Sequence, residues 1–356
     1  MANNQRIKRV QTNLAAWKVD GVVVSSPANI RYLSGFTGSN GLLWIGEKEA
    51  RLLTDGRYTT QAKTECAGRG VKVQVVQRSG EAGMDQYKGM RMGFEDQRIS
   101  FLLAERLRNL GKLVALGDAL DRLRLVKDAA EIAAIRASVD LNARALKQVL
   151  RKFRAEQTEA ELAAKIDYTQ RTLGAEGTAF STIVASGAHS ALPHAQPRTV
   201  ALERNGFLLI DMGACREGYM SDMTRTYGLG RVEREQQDIY AFVLEAQLAA
   251  IDRVAPGVAV SEVHAAAVGV LKRAKLDKLF VHSTGHGLGL EIHEAPRIAD
   301  GETTVLEPGM VITIEPGVYR PGKGGVRIED TVLVGPRGAE ILTPLTIAPK
   351  QWTIVS

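Results

Sequence analysis

The sequence predicts a chain of mixed α and β structure in two parts. A smaller α/β domain spans residues 1–126, and a larger one, built from two fused copies of one α/β unit, spans 127–356. Three observations carry this reading. A chain of 356 residues has room for about two domains at ~150 residues each. Its first third alternates short strand-like and helix-like runs. In the remainder, a pattern of two helices, an apolar strand, a carboxylate and a glycine occurs twice, at a spacing of about 100 residues, too long for a solenoid repeat.

The front domain contains Val19–Ser25, a compact apolar run that stops at Pro27, then Gly41–Ile45 and Arg51–Thr54, strand-like pieces bounded by glycines. Phe101–Leu110 has helical spacing, with Leu102, Leu103, Leu107 and Leu110 as its apolar positions. No glycine-rich phosphate-binding motif stands where a strand meets a helix, so nucleotide binding has no support. An amphipathic helix follows from about Asp128 to Phe153; Asp128 and Glu131 have the spacing of a capping box. The domain boundary is placed just before it. Helix patterns at Glu159–Leu173 and Glu262–Arg273 are each preceded by another, at 131–152 and 234–253. Each pair leads to an apolar strand ending in an acid and a glycine, Asp211 before Gly213 and Glu315 before Gly317.

Hydrophobic residues make up 45% of the chain and charged residues 24%, an ordinary globular balance that excludes the disordered class. No run approaches the ~18 apolar residues of a transmembrane helix, so no membrane association is expected. Cys66 and Cys215 form no CxxC pair and cannot build a disulfide framework, which favours a reducing compartment. The stretch MANNQRIKRVQTN has no apolar segment behind its basic residues, so the expectation is a cytoplasmic protein without a secretory signal. Residues 1–127 hold 21 Lys+Arg against 12 Asp+Glu, and the rest hold 25 against 28. The basic excess is scattered and reads as a solvated surface rather than a nucleic-acid interface. Trp17, Trp44 and Trp352 read as packing residues, and Cys215 is assigned no chemistry.

Acids at the ends of buried-looking strands need explanation, because an unpaired charge in a core is expensive. With Arg216-Glu217 as a two-residue hairpin loop, Asp211 and Asp222 stand directly opposite on one face. A turn centred on Gly322 places Glu315 opposite Glu329 in the same way. Such pairs repel unless they share protons, pair with arginine (Arg225 and Arg327 are near in sequence), or hold hard divalent cations. Two cations held by four acids and an imidazole would suit hydrolysis. The histidines strengthen that third option. All six lie beyond residue 188: His189 and His194 in SGAHSALPH, His282, His286 and His293 in HSTGHGLGLEIHE, and His264 apart. Glycines 285, 287 and 289 exclude a helix there and let backbone approach a site closely. His286 and His293, seven apart, fall on opposite faces of a regular strand, so a bend or bulge must intervene if both face the cations. HEAPR at 293–297 is not HExxH, and the helical zinc-peptidase motif is absent. His189 and His264 are read as ordinary polar residues.

Here the sequence resembles a known family. IDMGA with SDMTRT, STGHGLGLEIHE, TIEPG and GVRIED are similar to the five-ligand signature of the pita-bread metallopeptidases. The match is closer to the branch that cleaves Xaa-Pro bonds, prolidase (Xaa-Pro dipeptidase) and aminopeptidase P. NIRYLSGFTGSNG and TDGRYTTQA resemble the creatinase-like N-terminal domain of those enzymes. The resemblance implies an α+β fold, in which a pita-bread catalytic domain with pseudo-twofold internal duplication follows a smaller α/β creatinase-like domain. It implies Asp211 as ligand to one metal, His286 and Glu315 as ligands to a second, and Asp222 and Glu329 as bridges. Two divalent ions are implied, manganese before cobalt or zinc, in a homodimer. His194 and His293 match histidines that steady the scissile carbonyl and its tetrahedral intermediate. His282 matches an accessory histidine, and Arg327 the arginine that precedes the last ligand and organises it; both are counted with the substrate-binding residues.

The implied reaction is attack of a metal-bridging hydroxide on the carbonyl before proline, with Glu315 relaying a proton to the leaving imino nitrogen. Proline-containing dipeptides or short peptides are the implied substrates. Arg297, in HEAPR, matches an arginine that receives the substrate's C-terminal carboxylate in prolidases, a bidentate task that suits a guanidinium. With Arg297 in that role the enzyme is a dipeptidase. If it points away, aminopeptidase P, acting on longer Xaa-Pro peptides, is the alternative. A remote alternative is an inactive pita-bread binding protein whose basic front domain contacts nucleic acid.

Overall fold

Short apolar runs between glycine and proline breaks form the sheet of the first of two units, Met1–Arg124 and Leu125–Ser356. The computed structural model describes residues 2–76, 80–154, 156–344 and 353–354; Trp352 lies outside them. The first unit runs α1 (Ala2–Trp17), β1 (Gly21–Val24), α2 (Pro27–Ser34), β2 (Gly41–Gly46), β3 (Ala50–Asp55), α3 (Thr59–Glu65), β4 (Val71–Val76), β5 (Arg91–Phe94), α4 (Phe101–Arg108) and β6 (Lys112–Ala115). Its mixed sheet has the order β4-β3-β2-β1-β5-β6. All of β1 is buried, as expected of a strand covered on both faces. Trp44 stacks on Tyr87 within this core, with ring centroids 4.2 Å apart. The face expected of α4 needs correction. Ser100 caps the helix through the Leu103 N–H, which fixes its start at Phe101. Leu103 and Leu107, four apart, then turn inward, and Leu110, just past the helix end, packs on the same core, whereas Leu102 points outward and is 60% exposed.

The second unit runs α5 (Ala129–Leu150), α6 (Glu159–Thr172), β7 (Gly177–Thr178), β8 (Ile183–Ser186), β9 (Gly206–Met212), β10 (Ala214–Arg216), β11 (Tyr219–Met220), β12 (Met223–Leu229), α7 (Arg234–Arg253), α8 (Val260–Arg273), β13 (Gly285–Gly287), β14 (Glu294–Ile298), β15 (Val311–Ile314), β16 (Gly317–Arg320), β17 (Gly324–Arg327), β18 (Asp330–Gly335), β19 (Gly338–Ile341) and β20 (Thr353–Ile354). The capping box of α5 is formed: Asp128 accepts from the Glu131 N–H at 3.0 Å, and Glu131 accepts from the Asp128 N–H at 3.0 Å. Leu146 of α5 and Leu162 and Ile166 of α6 bury against Leu208 and Ile210 of β9. In the second copy, Val243 of α7 and Val263 of α8 share a core with Ile312 of β15 and Val332 of β18. A helix pair thus packs on an antiparallel strand pair twice, β9–β12 and β15–β18, which is the internal duplication of the α+β pita-bread fold. Burying each such aliphatic side chain contributes about 1.5–3 kcal/mol. Among the described residues no helix is long and apolar enough to cross a membrane.

The first acidic hairpin differs from the expected register. Thr224 opposes Asp211, and Arg216 opposes Tyr219. The turn is therefore Glu217-Gly218, not Arg216-Glu217. Both residues have positive φ, 52° and 76°, the twist that matches a two-residue hairpin to its strands. Because the displacement is two residues, Asp222 keeps the face of Asp211 but becomes its diagonal neighbour. The second hairpin has the expected register. Gly317 opposes Arg327 and Ile314 opposes Asp330, so Glu315 and Glu329 fall at matching positions between those pairs.

Candidate metal centre

The two strand pairs and one irregular hairpin aim five donors into one cavity of about 570 Å³. Asp211 lies one residue before the end of β9, Asp222 immediately precedes β12, Glu315 follows β15 and Glu329 precedes β18. Two backbone hydrogen bonds hold the glutamates in place, from Glu315 N–H to Thr284 O at 2.7 Å and from Glu329 N–H to Thr224 O at 3.2 Å. His286 rides on β13. A Cβ at Gly285 would lie 1.9 Å from the Thr313 carbonyl oxygen, and one at Gly287 2.1 Å from that of Ala295. Only glycine lets this strand enter, which is the close approach expected of these residues. The register between β13 and β14 shifts just after His286, the irregularity that its spacing to His293 demanded. The two imidazoles meet edge to face with centroids 4.5 Å apart.

His286 Nδ1 lies 3.0 Å from its neighbour's carbonyl, Gly287 O, and donates there. That leaves the Nε2 lone pair facing the acids, 3.4 Å from Glu315 Oε1 and 3.6 Å from Asp222 Oδ2. Donor atoms of Asp222, His286 and Glu329 all lie within 4.8 Å of one another. Asp211 and Glu315 line the same cavity. Burial and the neighbouring charges of Glu329, Asp211 and Glu315 push the Asp222 carboxyl well above its ordinary range. Burial, with Glu315 and Asp211, does the same to Glu329. Burial lowers His286 to about 4, so its ring is neutral.

Two buried oxygens, Asp211 Oδ1 and Glu329 Oε1, make no hydrogen bond among the described residues. Uncompensated carboxylate oxygens in a core are unfavourable, and a cation satisfies them. Four carboxylates and one imidazole form an oxygen-rich set suited to a hard or borderline divalent cation. These residues fit a metal.

Arg327 ties the surrounding groups together. Its guanidinium donates to Asp211 Oδ2 at 2.6 Å, Thr224 Oγ1 at 3.0 Å, the Tyr319 hydroxyl at 2.7 Å and Pro193 O at 3.2 Å. Thr224 in turn donates to Glu329 Oε2 at 2.7 Å. Arg327 therefore holds Asp211 directly and Glu329 through Thr224, and its donors are engaged by the protein itself. Of the two arginines weighed from sequence, Arg225 instead pairs with Asp330 at 2.7 Å. His282 lines the cavity, but Nδ1 bonds Ser283 O at 2.8 Å and Nε2 bonds the Tyr319 hydroxyl at 2.9 Å. Both of its ring nitrogens are engaged by the protein, and burial lowers its pKa to about 4.

His194, His293 and Arg297 are exposed and line the cavity, whose apolar wall includes Phe180, Ile183 and Ile292. Arg297 forms no ion pair among the described residues. His189 is drawn away from the cavity to Glu159, and His264 bonds Thr284 Oγ1 at 2.8 Å, in keeping with their polar reading. Sequence reasoning missed Thr224 and Tyr319. Thr224 was within reach, since it lies two residues beyond Asp222 and so shares its face; Tyr319 carried no local signal. Also missed was Lys127, which forms a buried pair with Glu294 at 3.2 Å and so braces the strand start next to His293.

Residues 133–336 match the model of metallopeptidase family M24, and residues 6–126 that of the creatinase/prolidase N-terminal domain. A Xaa-Pro dipeptidase from Pyrococcus furiosus is 35% identical over 344 residues, 95% of this chain and 97% of the relative. Among solved structures, a Xaa-Pro dipeptidase from Bacillus anthracis superposes with a TM-score of 0.93 at 32% identity, covering 97% of this chain and 99% of the other. An X-Pro aminopeptidase from Thermotoga maritima gives a TM-score of 0.86 at 35% identity, covering 95% and 99%. The chain belongs to metallopeptidase family M24, as its motifs suggested, and is a peptidase with a creatinase/prolidase N-terminal domain.

Proposed function

We propose that this peptidase hydrolyses the bond before proline in Xaa-Pro dipeptides, using two divalent cations held by Asp211, Asp222, His286, Glu315 and Glu329. The observation that carries the dipeptide reading is Arg297, an exposed guanidinium without an ion-pair partner among the described residues, on the wall of the cavity that holds the five donors. Its two parallel N–H groups suit the C-terminal carboxylate of a dipeptide. The similarity to dipeptidases over nearly the whole chain supports the same reading.

When bound, the cations supply Lewis-acid polarisation of the scissile carbonyl and a hydroxide nucleophile at neutral pH, with manganese the expected ion. His194 and His293 donate hydrogen bonds to the carbonyl oxygen as it gains charge. The Glu315 carboxylate, on the wall of the same cavity, is placed to accept a proton and pass it to the proline nitrogen as the bond breaks. Arg327 and Thr224 keep Asp211 and Glu329 oriented while this happens. The apolar wall at Phe180, Ile183 and Ile292 gives a proline ring a surface to rest on. We place the enzyme in the cytoplasm as a homodimer. An inactive nucleic-acid-binding protein is disfavoured, since all five donors are retained.

The test is hydrolysis of Ala-Pro and Ala-Pro-Ala by metal-stripped protein, before and after manganese, with products read by mass spectrometry. Manganese-dependent cleavage of Ala-Pro, with KM raised at least tenfold in Arg297→Met, is the expected result. Cleavage of Ala-Pro-Ala to Ala and Pro-Ala, unaffected by that substitution, would establish the aminopeptidase activity instead.

A further inference from the structure

We propose that Glu159, the first residue of α6, is a positioning residue that sets the place of His194 in the substrate cavity. The inference rests on the role assigned to His194 above. The Glu159 side chain is wholly buried and its carboxylate accepts from six donors. Oε1 receives Ser186 N–H at 2.9 Å, Ser186 Oγ at 3.1 Å and an Arg198 guanidinium N–H at 2.9 Å. Oε2 receives Arg198 N–H at 3.0 Å, Arg198 Nε at 3.0 Å and His189 Nδ1 at 2.9 Å. Ser186 and Arg198 are the two ends of the segment Gly187–Pro197. One carboxylate therefore closes the base of that segment through both of its flanking backbone N–H groups, and it also grips His189 inside it.

The segment delivers Pro193, His194 and Gln196 to the cavity wall. The His194 side chain makes no hydrogen bond among the described residues, so its position is inherited from the backbone that carries it. That backbone is anchored at two other points, where Ser190 Oγ accepts from Gly325 N–H at 2.8 Å and Pro193 O accepts from Arg327 at 3.2 Å. Both anchoring partners, Gly325 and Arg327, lie on β17, just ahead of Glu329 in the chain. The Glu159 clamp fixes the base of the same segment against the helix pair of the first copy. His194 is thus suspended between a fixed base and the cluster, and loosening the base lets its ring drift. Glutamate is required by geometry and charge: glutamine would turn an N–H₂ group toward donors, and aspartate would fall short of spanning Ser186 and Arg198. The N-terminus of α6 further favours a negative charge at this position.

A double-substitution cycle on the manganese-loaded enzyme tests this, with Ala-Pro as substrate. Glu159→Gln should lower kcat/KM on the order of tenfold to a hundredfold, the effect of a small misplacement of a reacting-site group, with the loss mainly in kcat. Metal content should stay at the wild-type level. His194→Ala should lose at least as much, and Glu159→Gln added to it should lose nothing further, because the clamp acts only through His194. Losses that multiply in the double variant would overturn the clamp while leaving the His194 role intact. An unimpaired His194→Ala enzyme would overturn the role itself. Arg198→Ala, whose side chain is 42% exposed, gives the same cycle in a milder form should Glu159→Gln fail to fold.

Discussion

Replacing Glu315 by glutamine should stabilise the metal-free protein at pH 8 while weakening the metal-loaded one. Glu315 sits at the cluster with its carboxyl at about 7 rather than the ordinary 4.5; burial is the larger cause, the Arg327 charge opposes it, and Asp211 adds to it. A raised carboxyl takes up a proton on folding, so its contribution to stability is complete below the unfolded value and is lost as pH rises through the folded one. By pH 8 that loss is on the order of 3 kcal/mol, and at pH 5 most of it has not yet occurred. Glutamine does not titrate, and the hydrogen bond it endangers is long, 3.4 Å from Thr313 Oγ1. The variant should therefore gain about 2–3 kcal/mol over wild type at pH 8 after chelation, a rise in Tm of roughly 4–12 °C, and little at pH 5. Comparing two proteins at each pH cancels most of the opposing contribution of His282 and His286, which burial lowers to about 4 and which favour folding as pH rises toward their unfolded value. Manganese at pH 8 should reverse the order, because the cation stabilises the wild-type cluster and binds the variant less tightly. Thermal melts in chelator at pH 5 and pH 8, repeated with manganese, decide it. A Glu315→Gln protein less stable than wild type by the same amount at both pH values in chelator would refute the electrostatic reasoning.

Asp222→Asn and Glu329→Gln should each lose most activity and at least one equivalent of metal, read by elemental analysis, while their far-UV spectra stay native. Lys127→Met breaks a pair in which the lysine side chain is 1% exposed and the glutamate 4%, and should cost about 3–5 kcal/mol by chemical unfolding. Adding Glu294→Gln to it should recover part of that loss; a double variant destabilised by the sum of the two single effects would show that the pair is not coupled.

Elements with local causes were legible. The helix α5 announces itself through Asp128 and Glu131, a capping box four residues long, and the structure starts it where those residues require. The second acidic hairpin was legible because its centre, Gly322, lies in a turn sequence with few alternatives. The first was not, because Arg216, Glu217 and Gly218 allow two phases of the turn. Choosing Glu217 for the left-handed position, where φ is 52°, runs against the preference of a non-glycine residue, and nothing local to the sequence reveals it. The error had little effect on the site, since a two-residue slip preserves which face a side chain occupies. A one-residue slip would have removed Asp222 from the cluster.

What escaped the sequence is the layer of residues behind the ligands, and the reason is distance along the chain. Asp211 and Arg327 bond across 116 positions, Thr224 and Glu329 across 105, Lys127 and Glu294 across 167. No periodicity or turn rule connects such pairs; they exist only once the two copies have packed. The four acids stood out because each hairpin brings two of them to one face by local geometry, and repulsion between them is a problem visible before folding; their reading as metal ligands came with the family resemblance. The partners that orient those acids solve a different problem, the satisfaction of the oxygens a cation leaves over. Glu159 follows the same logic at one remove. It supports no ligand, and its identity is set by donors from Ser186, His189 and Arg198 that converge only when the segment carrying His194 has closed. A sequence therefore exposes the groups that need a partner sooner than the groups that serve as one.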